Sequence, residues 1–249
     1  MIKANKKYPI LVSIPHASTF VPVDLRRRML LSDKEILSQS DLYTDEIYDV
    51  PNVHIVKAKI SRIVVDMNRA PDDIEAQCKL CNDGVVVSVD EFGTKIYEEP
   101  VPEKEILERV VKYHETFHQQ IDDLSGKVKF LIDGHSFWNF GPPTKDDAGK
   151  ERPDISIGNR EHTTCSKSDA EFIARFFEDR GFSVKINDPY IGKYVIGYHC
   201  SRRGLRGCHI EINRKLFMNE KTLRPHKQKI AHFNSLMQEL IFVINDRLL

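Results

Sequence analysis

The sequence predicts an α/β fold in which three layers (helices, sheet, helices) enclose a mixed, mostly parallel central sheet. Two observations favour this class. Short β-branched runs alternate with helical patterns along the chain, and several runs are largely apolar, as expected of inner strands covered on both faces. At 249 residues the chain can bury a full core. No repeat or linker-like stretch interrupts it, so we expect one domain over residues 1–249.

Seven segments have the composition of β-strands. They are residues 10–14, 54–58, 62–66, 128–132, 154–157, 183–186 and 209–212. Two of them run directly into short segments that we predict to be turns, Pro-His-Ala-Ser at 15–18 and Asp-Gly-His-Ser at 133–136. Ligands of open α/β sheets bind beyond the carboxyl ends of the strands, so His16 and His135 are candidate metal ligands.

Three longer segments have helical periodicity. Apolar residues recur three or four apart over 103–124, where His114 and His118 are interpreted as structural residues. The second helix is predicted to begin with a capping box formed by Ser168 and Glu171 and to stop at Gly181, and the third to run from about Pro225 to the end. Segments 70–102 and 137–153 are predicted to be long loops near the mouth of a site.

Composition narrows the classes of partner. The chain has 37 basic and 37 acidic residues, which argues against a nucleic acid or an anionic membrane surface and favours a small molecule. No apolar stretch is long enough to span a bilayer, and five scattered cysteines do not resemble a secreted disulfide framework, so we expect a cytoplasmic protein with reduced thiols. The isolated pair Cys78 and Cys81 is interpreted as a loop detail. Nothing in the composition indicates the oligomeric state.

A metal site built on two histidines needs a third ligand, because catalytic zinc usually keeps three protein ligands and one open position. The segment 40–48 offers Asp41 and Asp45 at what is predicted to be the start of a helix, one turn apart and on one face. One carboxylate could bind the metal while the other orients a histidine. The alternative is that either aspartate is a helix cap.

Two further segments carry polar groups at the ends of apolar runs. Arg69 has the planar fork that binds a carboxylate, and Asn68 adds a directional donor, although a surface arginine paired with an acid is an equal alternative. Strand alternation places Glu211 on the same face as His209 and Asn213. A glutamate buried there needs a partner, either as a general base beside a metal-bound water or in a buried salt bridge.

Six motifs, in order from about residue 10 to residue 218, resemble the N-formylglutamate amidohydrolase family. They are Ile-Pro-His-Ala-Ser at 14–18, the aspartates of 40–45, Val-Asp-Met-Asn-Arg at 65–69, Asp-Gly-His-Ser at 133–136, Asp-Ile-Ser-Ile-Gly at 154–158 and Ile-Glu-Ile-Asn-Arg at 210–214. This family is similar to zinc carboxypeptidases and aspartoacylase-type deacylases. The resemblance therefore implies a zinc-carboxypeptidase-like α/β fold with its metal at the strand ends.

The resemblance also implies roles for individual residues. His16, His135 and an acid, Asp41 in preference to Asp45, would bind one Zn²⁺ or another divalent ion. Arg62 would polarise the scissile carbonyl and contribute to substrate binding, and Asn68 with Arg69 would hold a substrate carboxylate. Glu211 would be the general base that takes a proton from water and returns it to the leaving amine. For N-formyl-L-glutamate the products would be formate and L-glutamate.

Other functions are compatible with the same residues. A related carboxypeptidase or deacylase could act on a different acyl group, and a non-catalytic homologue could keep only the carboxylate grip. N-formylglutamate carries a second carboxylate that needs another cation, for which Lys193, Arg202 and Arg203 are candidates. A base poised on water has no purpose in a mere binding protein, so the presence of His16, His135 and Glu211 together favours an enzyme.

Overall fold

The structure, a computed structural model, describes residues 7–74 and 83–249. Six strands form its central sheet: β1 (Ile10–Ile14), β2 (His54–Lys57), β3 (Phe130–Phe137), β4 (Ile155–Gly158), β5 (Val184–Ile186) and β6 (Arg206–Asn213). Their order across the sheet is β2-β1-β3-β6-β4-β5, and every neighbouring pair is parallel except β4 with β6. The predicted mixed, mostly parallel sheet is confirmed. A short hairpin of β7 (Met218–Asn219) and β8 (Arg224–Pro225) lies outside it.

Helices cover both faces of the sheet. They are α1 (Val23–Arg26), α2 (Asp33–Ser38), α3 (Thr44–Ile47), α4 (Glu103–Arg109), α5 (Glu115–Leu124), α6 (Lys167–Glu178), α7 (Tyr194–Arg203) and α8 (Lys227–Leu248). One apolar core joins α3, α6 and α8 to the sheet, and a second joins α4, α5 and α7 to the opposite face. The three-layer arrangement is therefore as expected.

Strand alternation decides which side chains reach which face. In β1, Ile10, Val12 and Ile14 belong to the core with α8, whereas Leu11 belongs to the core with α5. The same alternation in β3 and β6 places Asp133, His135, His209 and Glu211 on the face that carries α5 and α7. These four titratable side chains of the two central strands therefore share one face of the sheet.

Gly134 allows Tyr48 to pack closely against the opposite face of β3. A Cβ atom at Gly134 would lie 2.8 Å from the ring of Tyr48, closer than real side-chain contacts allow. The Tyr48 hydroxyl, packed there, donates a 2.9 Å hydrogen bond to the carbonyl oxygen of Ile210 in β6. The glycine beside His135 is required for close packing behind the strand.

One predicted turn and one predicted strand are wrong. Residues 133–136 are not a turn, because β3 continues through Phe137 and pairs with β6 up to Asn213. Residues 62–66 are not a strand. Val64 donates a turn hydrogen bond to the carbonyl of Ser61, and no strand among residues 7–74 and 83–249 pairs with this buried apolar run. Apolar runs report burial, and only a partner strand makes them β-structure.

The predicted helices are confirmed with changed ends. The helix predicted over 103–124 is α4 and α5 joined by a π-helical turn, Val110–His114. The capping box lies two residues earlier than predicted, since Ser166 accepts from the Asp169 amide at 3.0 Å, and α6 ends before Gly181. Asp41 precedes α3 and Asp45 lies inside it, so the two do not share a helical face.

In the described ranges, no helix has the length and apolar character that crossing a membrane requires. Cys78 and Cys81 lie outside the described residues. The loops predicted near the mouth do line the pocket described next, through Glu91 from the first and Trp138 and Lys145 from the second.

Candidate metal centre

Three chain segments bring His16, Asp41 and His135 together. His16 follows the end of β1, His135 lies inside β3, and Asp41 is held beside them because its amide donates a 2.9 Å hydrogen bond to the His16 carbonyl. The Nδ1 atoms of His135 and His16 lie 3.1 and 3.6 Å from Oδ2 of Asp41. All three residues are buried, and their ligand atoms are close enough to share one metal ion.

Buried carboxylates fix the orientation of both imidazoles. Nε2 of His16 lies 2.7 Å from Oδ1 of Asp66, and Nε2 of His135 lies 2.9 Å from Oδ2 of Asp133. A carboxylate only accepts hydrogen bonds when ionised, so each ring carries its proton on Nε2 and presents the Nδ1 lone pair towards Asp41. Carboxylates behind metal-binding histidines have this role in many metalloproteins.

The residues fit a metal ion. Nδ1 of His16 is buried and has no hydrogen-bond partner among the described residues, an arrangement that costs free energy unless something else occupies that direction. Two imidazole nitrogens and one carboxylate oxygen are a common ligand set for catalytic zinc, with a position left for water. Asp45, the alternative third ligand, is exposed and lies outside this group.

Charge around the cluster keeps its carboxylates ionised. Burial alone would raise the pKa of Asp41, but the neighbouring side chains of His135, His16 and Arg214 hold it well below its usual range. Arg214 Nη2 donates to Oδ1 of Asp41 at 2.9 Å, which leaves Oδ2 for the histidine side. Burial likewise opposes ionisation of Asp133, yet His135 and His209 lower its pKa. Ionised carboxylates are the form that binds a metal.

Glu211 enters the same pocket from β6, the neighbour of β3. Its backbone pairs in register with His135, and its Oε1 accepts a 2.8 Å hydrogen bond from Nε2 of His209. The second oxygen, Oε2, is buried and has no partner among the described residues. A carboxylate that is held by one oxygen, with the other free of a protein partner, is the arrangement that a general base needs.

Asn68 and Arg69 lie at the pocket wall, both already engaged by protein groups. Asn68 Nδ2 donates to Oδ2 of Asp133 at 3.1 Å, and its Oδ1 accepts from the Val195 amide at 2.9 Å. Arg69 contacts Asp83, with Nε on its carbonyl at 3.0 Å and Nη2 on its carboxylate at 3.1 Å. Asn68 therefore supports the Asp133 and His135 pair, while Arg69 points its fork at an exposed acid.

Arg62 also lines the pocket. Its Nη2 donates to Oδ2 of Asp66 at 2.8 Å, and Nη1 lies 3.8 Å from Oε1 of Glu91. Burial works against the charge, but Asp66, Glu91 and Asp41 outweigh it and raise the pKa of Arg62. Asp66 thus joins Arg62 to His16 through its two oxygens.

The pocket holds residues that the sequence reasoning missed and excludes others that it proposed. Lys193 lines the pocket, whereas Arg203 binds Asp122 and Arg202 contacts Tyr198 away from it. The side chains missed as contributors to the site are Asp66, Glu91, Asp133, Trp138, Arg152, Tyr190, His209 and Arg214. Asp133 and His209 carried a usable signal, since each stands two residues before a predicted site residue on a strand and so shares its face.

Comparisons with known proteins find relatives that match most of this chain. The chain is 24% identical over 238 residues to the N-formylglutamate deformylase of Pseudomonas putida, covering 90% of this chain and 87% of that protein. The N-formylglutamate amidohydrolase of Ralstonia eutropha JMP134 superposes with a TM-score of 0.81 at 22% identity, over 97% of this chain and 94% of that one. A gene product of Agrobacterium tumefaciens gives 0.68 at 20% identity, over 96% and 92%.

The family match covers the whole region that builds the site. The sequence pattern of N-formylglutamate amidohydrolases matches residues 8–218, which include every residue of the pocket. The chain belongs to the N-formylglutamate amidohydrolase family.

Proposed function

We propose that this protein hydrolyses N-formyl-L-glutamate to formate and L-glutamate with one divalent metal ion, Zn²⁺, held by His16, Asp41 and His135. One observation carries the proposal. The Nδ1 atoms of both histidines and Oδ2 of Asp41 lie together in a pocket that Glu211, whose Oε2 has no partner among the described residues, also lines. Family membership and the name of the Pseudomonas putida relative support the formyl substrate.

The chain's own residues divide the proton transfers and the charge between them. A bound divalent ion supplies Lewis acidity and makes water acidic near neutral pH. Glu211 accepts the proton of the attacking water on Oε2, while His209 holds Oε1 in place. The water oxygen adds to the formyl carbon, and Arg62 stabilises the negative charge that develops on the carbonyl oxygen. Glu211 then delivers its proton to the departing amino nitrogen as the C–N bond breaks.

Arg69 and Lys193 supply the charge that the two substrate carboxylates need. The Arg69 fork binds the carboxylate beside the amide, and Asn68 holds the wall from which that fork extends. Lys193 Nζ has no ion pair within residues 7–74 and 83–249, and burial together with Arg69 lowers the pKa of Lys193. A side-chain carboxylate that binds Lys193 adds negative charge next to these two cations and relieves their repulsion, which favours a dicarboxylic substrate.

The balanced charge of the chain and a small-molecule substrate are consistent with a cytoplasmic metabolic enzyme, the setting we propose. Cys165, Cys200 and Cys208 are buried free thiols, which a reducing compartment preserves.

A panel of substrates tests the proposal. Purified, metal-loaded protein is assayed with N-formyl-L-glutamate, N-acetyl-L-glutamate, N-formyl-L-leucine and a dipeptide, with formate or free amine as the product measured. We expect N-formyl-L-glutamate to have the highest kcat/KM, and N-formyl-L-leucine to lose at least about tenfold because it lacks the second carboxylate. A preference for the acetyl compound or the dipeptide would contradict the formyl assignment, and no turnover of any amide would contradict the enzyme.

A further inference from the structure

A cluster of three buried histidines lies directly behind the pocket wall that carries Asn68 and Arg69. His114, His118 and His199 are each at most 7% exposed, and none of them lines the pocket. His114 closes the π-helical turn, His118 lies in α5, and His199 lies in α7. Their rings pack together, with centroids 4.2 Å apart for His114 and His118 and 5.1 Å apart for His118 and His199.

Two of these rings bind the backbone on either side of Asn68. Nε2 of His118 donates to the carbonyl of Met67 at 2.9 Å, and Nε2 of His114 donates to the carbonyl of Arg69 at 2.9 Å. The segment belongs to no strand, so these carbonyls have no sheet partner, and a buried carbonyl without a donor is costly. The two imidazoles replace the ladder that a strand would have provided.

The third ring fixes the tautomer of the second. Because His118 carries its proton on Nε2, its Nδ1 accepts, and Nε2 of His199 donates to it at 2.8 Å. Nδ1 of His199 faces Oδ1 of Asp122 at 3.2 Å, and Asp122 is held at the surface by Arg203. Burial lowers the pKa of His118 and of His199, which favours the neutral form of both rings.

His114 and His118 stand one helical turn apart, so their rings lie in contact on one side of the helix and reach carbonyls two residues apart. His114 is the last residue of the π-helical turn, whose extra residue shifts the register between α4 and α5. Such turns are frequent at functional sites. The helix at this turn thus supports the segment 67–69 through His114 and His118.

We propose that His114, His118 and His199 are positioning residues that hold Asn68 and Arg69 at the substrate pocket. The link to substrate rests on the proposed function, in which Arg69 binds a substrate carboxylate. The histidines touch neither the metal ligands nor the pocket space. Their removal loosens the hold of Arg69 on the substrate carboxylate but leaves every metal ligand and the base in the chain, so the larger effect falls on KM.

The test compares His118→Phe, His118→Gln and Ile121→Val. Phenylalanine keeps an aromatic ring and removes the N–H donor, whereas glutamine restores an N–H donor near the carbonyl of Met67. Ile121 is a fully buried residue of the same helix, and its trimming is a matched control for general loss of stability. We expect KM for N-formyl-L-glutamate to rise about tenfold in His118→Phe, to recover in part in His118→Gln, and to stay unchanged in Ile121→Val.

Hydrogen exchange separates this inference from the proposed function. Amides of the segment 62–74 are followed by mass spectrometry in the same three variants, together with bound metal. We expect exchange to be fastest in His118→Phe, slower in His118→Gln and unchanged in Ile121→Val, even if the wild type cleaves some other substrate. Unchanged exchange in His118→Phe would overturn the positioning role, as would equal KM in His118→Phe and the active wild type. Failure of the wild type to turn over N-formyl-L-glutamate would count against the proposed function alone, with exchange still deciding the positioning.

Discussion

Asp66 joins His16 to Arg62, with Oδ1 2.7 Å from Nε2 of the histidine and Oδ2 2.8 Å from Nη2 of the arginine. Loss of the charge in Asp66→Asn weakens the orientation of the imidazole and its donation to a metal. We expect metal affinity to fall about 10- to 100-fold, measured by competition with a chromophoric chelator. Asp49→Asn, which neutralises an exposed acid remote from the pocket, is the control. Wild-type affinity in Asp66→Asn would mean that His16 is oriented without its carboxylate.

The third ligand is tested by a pair of substitutions at Asp41 and Asp45. Asp41 is buried against both histidines, whereas Asp45 is exposed in α3. We expect Asp41→Asn to purify without stoichiometric metal and Asp45→Asn to keep it, as measured by elemental analysis after dialysis against buffer. Loss of metal in Asp45→Asn with retention in Asp41→Asn would reverse the assignment.

Asp83 occupies the Arg69 fork that the substrate is proposed to use. Its carboxylate lies 3.1 Å from Nη2 of Arg69, and its side chain is 64% exposed, so the contact is readily exchanged for another anion. Asp83→Asn removes this competitor, and we expect KM to fall about two- to fivefold at constant kcat. Asp146→Asn is the matched control, because it removes the same charge from the adjacent groove. An increase of KM in Asp83→Asn would show that Asp83 helps to bind substrate.

The free energy of unfolding should depend on pH through His199. Burial lowers the pKa of this residue to about 4, whereas in the unfolded chain it is near 6.5. Between these values the unfolded state binds a proton that the folded state does not, so stability falls as the pH drops through this window. We expect His199→Gln to gain about 2 kcal/mol relative to wild type between pH 7 and pH 4.5, as measured by urea unfolding. The exposed His232→Gln is the control, and an equal difference at both pH values would contradict this origin.

The sheet and its ligand positions were predictable because they follow from local patterns. Period-two alternation predicts that Glu211 and His209 share a face, and the short apolar run before His16 places that residue at a strand end, as observed. The choice between Asp41 and Asp45 was beyond such patterns. It depends on where the chain turns after α2, and the decisive hydrogen bond joins Asp41 to the backbone of His16.

The support of the site was harder to predict than its ligands. His114 and His118 fall on an amphipathic helix, where the periodicity suggests only packing, and their contacts with Met67 and Arg69 cross about fifty residues of sequence. The segment 62–66 has the composition of a strand, yet no strand in the described part of the chain pairs with it. Contacts with distant parts of the chain bury these residues without making them a strand, and local β-propensity does not predict such contacts.

The central claim is that Glu211 acts as the base beside a metal held by the two histidines and Asp41. The most direct measurement is the rate of formate release from N-formyl-L-glutamate by wild type and Glu211→Gln at equal, independently measured metal content. Glutamine keeps the shape of the side chain and cannot accept the proton, so the account predicts full metal occupancy with a kcat at least about 10²-fold lower. A wild-type rate in metal-loaded Glu211→Gln would contradict it.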